Sequence, residues 1–138
     1  MSEKTKIALV DDNKNILTSV AITLENAGFE VTQFSDGAYA LENFSKSMPD
    51  LIILDIKMPY IDGFEVAQSL KESNIPIIFL TAKDNLDTRL KCFSLGAKDY
   101  LPKPFYMEEL IIRIKNVLNQ SHSQSLTPNI KKTKELII

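Results

Sequence analysis

The sequence predicts a doubly wound α/β domain, a five-stranded parallel sheet of strand order 2-1-3-4-5 with helices on both faces. Short apolar runs alternate five times with longer stretches of helical periodicity. The central apolar runs are continuous rather than alternating, as expected of strands buried on both faces. A chain of 138 residues, 44% of them hydrophobic, is long enough to bury a core without a metal or disulfide staple.

The first strand is Ile7-Ala8-Leu9-Val10. A helix follows with Ile16, Leu17, Val20, Ala21 and Leu24 on one face, and Gly28 as its stop. Val31-Thr32-Gln33-Phe34 is the second strand, more polar, as suits a sheet edge. Asp36 can cap the next helix, which carries Ala38, Leu41 and Phe44 and ends before Met48-Pro49. Leu51-Ile52-Ile53-Leu54 is the third strand, and a helix from about Phe64 to Ser73 follows with Phe64, Ala67 and Leu70 inward. The fourth strand is Ile77-Ile78-Phe79-Leu80, and its helix runs from about Leu86 to Leu95, with Gly96 beyond. Asp99-Tyr100-Leu101 is a second polar, edge-like strand. The last helix follows Pro104 with Leu110, Ile111, Ile114, Val117 and Leu118 on its apolar face. The segments share a layout but no sequence repeat, which argues against a solenoid.

After about Gln120 the periodicity stops, and Ser121-His122-Ser123-Gln124-Ser125 reads as a linker. Lys134–Ile138 resembles the start of another strand. The expected organisation is a domain over 1–120 and, over 121–138, a linker with the start of a second domain. A net charge of −2 gives no broad attraction to nucleic acid or membrane surfaces. The single cysteine, Cys92, excludes an internal disulfide and a multi-cysteine zinc site. No apolar run approaches the roughly 20 residues of a membrane span, and the polar start shows no signal peptide. A cytoplasmic protein with no membrane partner is expected.

The polar residues carry the functional signal. Asp11 and Asp12 follow the first strand, Asp55 the third, Thr81 the fourth and Lys103 the fifth. In a parallel sheet these ends share one edge, where open α/β sheets bind ligands. The first and third strands are neighbours in this order, so the three aspartates converge. Such carboxylates raise one another's pKa unless a cation intervenes, and Lys103 supplies one charge. A hard divalent ion fits, Mg²⁺ best, because it accepts few carboxylates and keeps waters that phosphate oxygens can replace. A carboxylate beside Mg²⁺, an ammonium and a hydroxyl suits phosphoryl transfer. Asp55 can attack phosphorus without a general base, with Lys103 and the metal neutralising charge and Thr81 donating a hydrogen bond. Singly, each residue has a plainer explanation: an Asp pair caps a helix, a strand-end Thr is structural, a Lys is solvated. Their shared edge is the argument.

These residues resemble the receiver domain of bacterial two-component response regulators. The resemblance lies in Ile7–Asp12 (IALVDD), Pro49–Gly63 (PDLIILDIKMPYIDG), Pro76–Ala82 (PIIFLTA) and Gly96–Phe105 (GAKDYLPKPF), and spans residues 5–120. It implies the flavodoxin-like (βα)5 layout. It also implies that Asp55 takes a phosphoryl group from a phosphohistidine on a sensor histidine kinase. Asp12 would ligate Mg²⁺ directly, Asp11 directly or through water, and Asp55 and the backbone carbonyl of Lys57 would complete the protein ligands, with Mn²⁺ as a substitute ion. Thr81 and Lys103 would contact the phosphoryl oxygens. Tyr100 would be a switch aromatic that turns inward as Thr81 moves, although plain packing explains it as well. The Lys103–Pro104 bond would be cis, and Gly63 would allow the sharp loop after Asp55. Side chains at Lys57 and Lys83 would tune phosphate lifetime.

Arg89, Asp99, Glu109 and Arg113 match charged positions of the winged-helix (OmpR/PhoB-type) regulators. There they imply ion pairs, Arg89 with Glu109 and Asp99 with Arg113, across a two-fold interface of the fourth helix, fifth strand and fifth helix. The competing explanation is a solvated charged surface. The strand-like end agrees with this class, which implies DNA contact only through a C-terminal domain missing here. The segments around Asp12, Asp55 and Thr81 look most like the alphaproteobacterial ChvI-like branch.

Other readings remain. A stand-alone receiver adaptor lacks an output domain. A Mg²⁺-dependent aspartyl phosphatase would carry its second acid two residues after the nucleophile, whereas here Asp11 and Asp12 are adjacent and position 13 is Asn13. A flavin-binding protein of the same layout would need a Ser/Thr/Gly phosphate loop where this chain has two acids, and no Walker-type loop is present. The resemblance implies a signalling domain rather than an enzyme acting on external substrates.

Overall fold

All five strands are parallel and lie in the order β2-β1-β3-β4-β5. The computed structural model describes residues 3–126, with side chains as far as residue 120. The strands are β1 (Lys6–Val10), β2 (Glu30–Phe34), β3 (Leu51–Asp55), β4 (Ile77–Thr81) and β5 (Asp99–Pro102). The helices are α1 (Lys14–Asn26), α2 (Gly37–Phe44), α3 (Gly63–Ser69), α4 (Leu86–Ser94) and α5 (Met107–Leu126). The expected strand order is therefore present, and the two more polar strands are the two edges.

Side chains alternate across a strand, so each central strand feeds two cores. Ala8, Val10, Ile52, Leu54, Ile77 and Phe79 join Phe44, Val66 and Cys92 in one. Ile7, Leu9, Leu51, Ile53, Ile78 and Leu80 join Val20, Leu24, Leu110 and Ile114 in the other. Helices on both faces leave no polar side, which is why β3 and β4 are buried along their whole length. Cys92 is fully buried on α4 among apolar groups, and burial pushes its thiol up to about 11. Lys91, its neighbour on α4, lies 5.0 Å from the centre of the Phe64 ring on α3.

Helix ends follow local chemistry. Asn13, not the preceding acids, caps α1 by accepting from the backbone N–H groups of Asn15 and Ile16. Asp36 caps α2 as expected. Asp62 and Glu65 form a reciprocal capping box at α3. Gly28 and Gly96, at φ 102° and 91°, turn the chain after α1 and α4 in the left-handed region that favours glycine.

Four expectations are corrected. On α2 the inward residue is Ala40, while Ala38 is exposed, because the cap at Asp36 sets the phase of this two-turn helix. α3 buries Val66 as well as Ala67, and it ends at Ser69, with a 3₁₀ turn over Lys71–Ser73. A left-handed Asn74 closes that turn. The last helix starts at Met107, after a bend through Pro104. It also runs to Leu126 rather than stopping near Gln120, since extending a formed helix adds one hydrogen bond for each residue fixed. The strand suggested over Lys134–Ile138 lies outside the described residues.

The loop from β3 to α3 returns directly onto its own start. Gly63 donates its N–H to the Ile56 carbonyl at 2.7 Å. A Cβ at Gly63 would collide with the Asp55 carbonyl oxygen and stand 2.9 Å from Ile56 Cα. Glycine is therefore required by close approach rather than by backbone angle. Gly63→Ala is expected to lower unfolding free energy by about 3 kcal/mol, the upper end for overpacking a well-filled site. Urea denaturation measures this, and an unchanged midpoint would contradict the close approach.

Candidate functional site

Strand register builds the site. Val10 lies beside Leu54, and Asp55 beside Leu80. One residue further along, Asp11 stands next to Asp55. Thr81 is the last residue of β4 and pairs with Pro102, so Lys103 follows at the same edge. The sheet thus delivers Asp11, Asp12, Asp55, Thr81 and Lys103 to one end of four adjacent strands. Carboxylate oxygens of Asp11, Asp12 and Asp55 all lie within 4.8 Å of one another.

Asp11 is fully buried and Asp12 exposed, with Asp55 6% exposed between these extremes. Lys103 Nζ donates to Asp11 Oδ2 at 2.8 Å and stands 3.4 Å from Asp55 Oδ1. The other Asp11 oxygen accepts from the Asn13 backbone N–H at 2.9 Å. Asn13 is a residue the sequence reading passed over, although a polar residue just before a helical run is the usual cap signal. The Lys103–Pro104 peptide bond is cis, as the resemblance implies. The Lys103 backbone N–H donates to the Thr81 carbonyl at 2.7 Å, tying the β5 exit to the β4 exit.

The electrostatics follow from this crowding. Burial is the largest influence on Asp55 and raises its pKa; the Asp11 charge raises it further, Lys103 lowers it and Asp12 adds a smaller upward push. The result is a carboxyl shifted from 3.8 to about 6. Burial alone would lower Lys103, but the hydrogen bond to Asp11 and the charges of Asp55 and Asp11 outweigh it and hold the ammonium above its ordinary value. Three carboxylates face one ammonium, so two negative charges remain uncompensated once all ionise. The oxygen-only donor set suits a hard divalent cation.

Thr81 and Tyr100 are brought together on the other side of the sheet edge. Thr81 is buried, and its Oγ1 accepts from the Lys83 backbone N–H at 3.0 Å. Tyr100 pairs in register with Phe79 and is 6% exposed. Its hydroxyl donates to the Lys83 carbonyl at 2.6 Å and lies 3.3 Å from Asp84 Oδ1. Burial, then the Asp84 charge, pushes the phenol up to about 12. It is therefore a fixed donor at neutral pH. The ring is already inward, so the expected inward turn is not a motion this structure has left to make. Asp84 had no signal in the sequence beyond its place after β4.

The charged set on α4, β5 and α5 is only partly joined. Arg113 donates to both oxygens of Asp99 at 2.9 and 3.0 Å and to Glu109 at 3.0 Å, all within one chain. Arg89 forms no ion pair among the described residues. α4 leaves Leu86, Leu90 and Phe93 exposed on the same side of the molecule, and Ile112 of α5 is exposed as well. Lys57 and Lys83 are exposed on the loops after β3 and β4.

Because Asp55 has a raised pKa in the fold, the folded chain holds a proton that the unfolded chain has lost between about pH 4 and pH 6. Stability of the metal-free fold therefore falls as pH rises through that window and stays lower above it. Asp55→Asn removes the charge that causes the loss. In EDTA at pH 7 the variant is expected to be more stable than the parent, by on the order of 1–3 kcal/mol, with the difference vanishing below pH 4. Urea unfolding at the two pH values checks this, and a less stable variant at pH 7 would overturn the charge argument.

Residues 7–115 match the response regulator receiver domain family. The chain is 39% identical over 117 residues to the transcriptional regulatory protein PrrA of Mycobacterium leprae, covering 83% of this chain and 50% of that protein. It is 38% identical over 128 residues to the alkaline phosphatase synthesis transcriptional regulatory protein PhoP of Bacillus subtilis, covering 91% and 53%. The chain thus spans about half the length of the curated relatives it matches. Among solved structures, the BeF3-activated DrrB receiver domain aligns with a TM-score of 0.78 and 35% identity over 85% of this chain and 99% of that one. A CheY-like receiver domain protein from Methanospirillum hungatei aligns with a TM-score of 0.84 and 26% identity over 88% and 99%. With its sheet order, its acidic edge and this coverage in agreement, the chain belongs to the response regulator receiver domain family.

Proposed function

We propose that Asp55 is the phosphoacceptor of a signalling switch and that the donor is a phosphohistidine on a sensor histidine kinase. One observation carries this reading: the Asp55 carboxylate lies at the end of a central strand among Asp11, Asp12 and the Lys103 ammonium. Asp11, Asp12, Asp55 and the backbone carbonyl of Lys57 would hold Mg²⁺, with Mn²⁺ as a substitute. When bound, the ion supplies positive charge to the phosphoryl oxygens.

The remaining chemistry belongs to the chain. A carboxylate oxygen of Asp55 attacks phosphorus, the P–N bond to the donor imidazole breaks, and its electron pair returns to that nitrogen. The product is an aspartyl phosphate, a mixed anhydride. Lys103 stands where its ammonium can turn from Asp55 to a phosphoryl oxygen. Thr81 accepts from Lys83 through its oxygen, which leaves its own proton free to donate to the same group. Drawing Thr81 inward would strain its bond to the β4–α4 loop, which Tyr100 clamps through the Lys83 carbonyl. Phosphorylation would thereby favour the inward ring and reshape the face of α4, β5 and α5, a population shift supported by differential contacts.

That face would form a homodimer in which Arg89, Asp99, Glu109 and Arg113 are shared between copies. The exposed Leu86, Leu90 and Phe93 give it apolar area. The named relatives are transcriptional regulators, and DrrB of Thermotoga maritima, 35% identical, is described as an OmpR/PhoB homolog. They support a winged-helix output for the whole protein, with residues 1–120 as the receiver and 121–138 leading toward a DNA-binding domain. No described helix is long and apolar enough to cross a membrane, and a cytoplasmic location suits a kinase-fed switch.

Mass spectrometry after incubation with acetyl phosphate and Mg²⁺ should find one phosphoryl group per chain, on Asp55. Asp55→Asn or EDTA should abolish it, and stoichiometric labelling of the variant would remove Asp55 from the role. Arg113→Ala should leave labelling intact and weaken the phosphorylated dimer several-fold in sedimentation. An unchanged dimer would exclude that face.

A further inference from the structure

Tyr60 is 96% exposed, the most exposed of the large hydrophobic residues noted in the fold. It is also one of only two non-glycine residues with positive φ among the described residues, at 69°. The Ile61 N–H donates to the Pro59 carbonyl at 2.8 Å, so Tyr60 is the central residue of a γ-turn of the rarer, strained hand. Glycine would adopt that backbone without penalty. An aromatic ring kept on a strained turn and touching nothing in its own chain points to a contact outside it.

The place of the turn identifies the contact. The loop leaves Asp55 and returns to it at Gly63, which packs against the Asp55 carbonyl. Three residues separate Tyr60 from Gly63, a span of at most about 11 Å even when extended, and the γ-turn shortens it. A protein that presents a histidine to Asp55 through a standard interface buries roughly 800 Å² on each side, a disc of about 16 Å radius. Such a footprint, centred on Asp55, reaches Tyr60. Acetyl phosphate has no such footprint. Tyrosine is among the residues that dominate interface energies, since it buries a large ring at low entropic cost.

We infer that Tyr60 is a specificity-determining contact for the protein phosphodonor, used in phosphotransfer from a histidine kinase and not in phosphorylation by small donors. The inference rests on the proposed phosphoacceptor role of Asp55.

The test uses Tyr60→Gly and Tyr60→Asn, both at ease in the left-handed region, and Tyr60→Phe, which keeps the ring. The small donor is acetyl phosphate with Mg²⁺. The protein donors are the autophosphorylated cytoplasmic portions of the source organism's histidine kinases, and the one transferring fastest to the parent chain is used for comparison. Tyr60→Gly and Tyr60→Asn should cut kcat/KM for that kinase at least tenfold while Tyr60→Phe stays within about threefold. All three should label with acetyl phosphate at the parent rate, and Tyr60→Gly should raise the melting temperature by relieving the turn. Unaltered kinase transfer to Tyr60→Gly would overturn the inference. Equal losses with kinase and acetyl phosphate would reduce Tyr60 to a loop-shaping residue and overturn it as well. If acetyl phosphate labels Asp55 but no kinase transfers to the parent, the protein-donor role falls and Tyr60's with it. Absence of acetyl phosphate labelling in the parent would instead sink the phosphoacceptor reading.

Discussion

Three carboxylates held within 4.8 Å of one another, two of them removed from water, form an arrangement that folding alone does not favour. A single ammonium stands among them, hydrogen-bonded to the deepest carboxylate and near the acceptor. The imbalance is the central fact of the structure. It leaves Asp55 poised between protonation and ionisation in the bare fold, and it leaves the site with an unmet demand for cations. Everything around the site maintains this tension: Asn13 fixes one oxygen of Asp11, the Thr81 carbonyl holds the backbone of Lys103, and Gly63 lets the loop after Asp55 close.

The sheet makes such crowding affordable. β1 and β3 are central strands with helices on both faces, and their apolar side chains fill two cores. Burying an aliphatic side chain contributes about 1.5–3 kcal/mol, so two cores of this kind readily offset a poorly solvated acid at the strand ends. The same sheet separates two tasks. The acids and Lys103 lie at the strand ends, while Thr81 and Tyr100 continue the face of β4 and β5 that carries α4. Events at phosphorus can thus reach the α4 side through one hydroxyl and one loop.

Much of this was legible in the sequence because period and punctuation agreed. Continuous apolar runs marked β1, β3 and β4, and polar edge runs marked β2 and β5. The residues that end those strands were the site. What sequence could not give was set by tertiary closeness. Gly63 looked like a turn residue, but its necessity comes from the Asp55 carbonyl pressed against it. The phase of α2 depends on its cap, which moved Ala38 outward and Ala40 inward. Tyr100 could be read as packing or as a switch, and only its hydroxyl on the Lys83 carbonyl showed that the ring stands inward. Arg113 was expected to reach another copy, yet Asp99 and Glu109 of its own chain lie within its grasp, because β5 and α5 run side by side.

Cys92 gives the α4 side a property unconnected with phosphate. Its sulfur is sealed beneath the helix and its thiol is held far from ionisation, and thiolate is the form that oxidants and alkylating reagents attack. Signalling through this domain is thereby insulated from the redox state of its surroundings while the helix stays closed. Conversely, any reagent that does reach the sulfur records how often α4 lifts away from the sheet, a natural clock for the one helix whose departure the rest of the fold would survive.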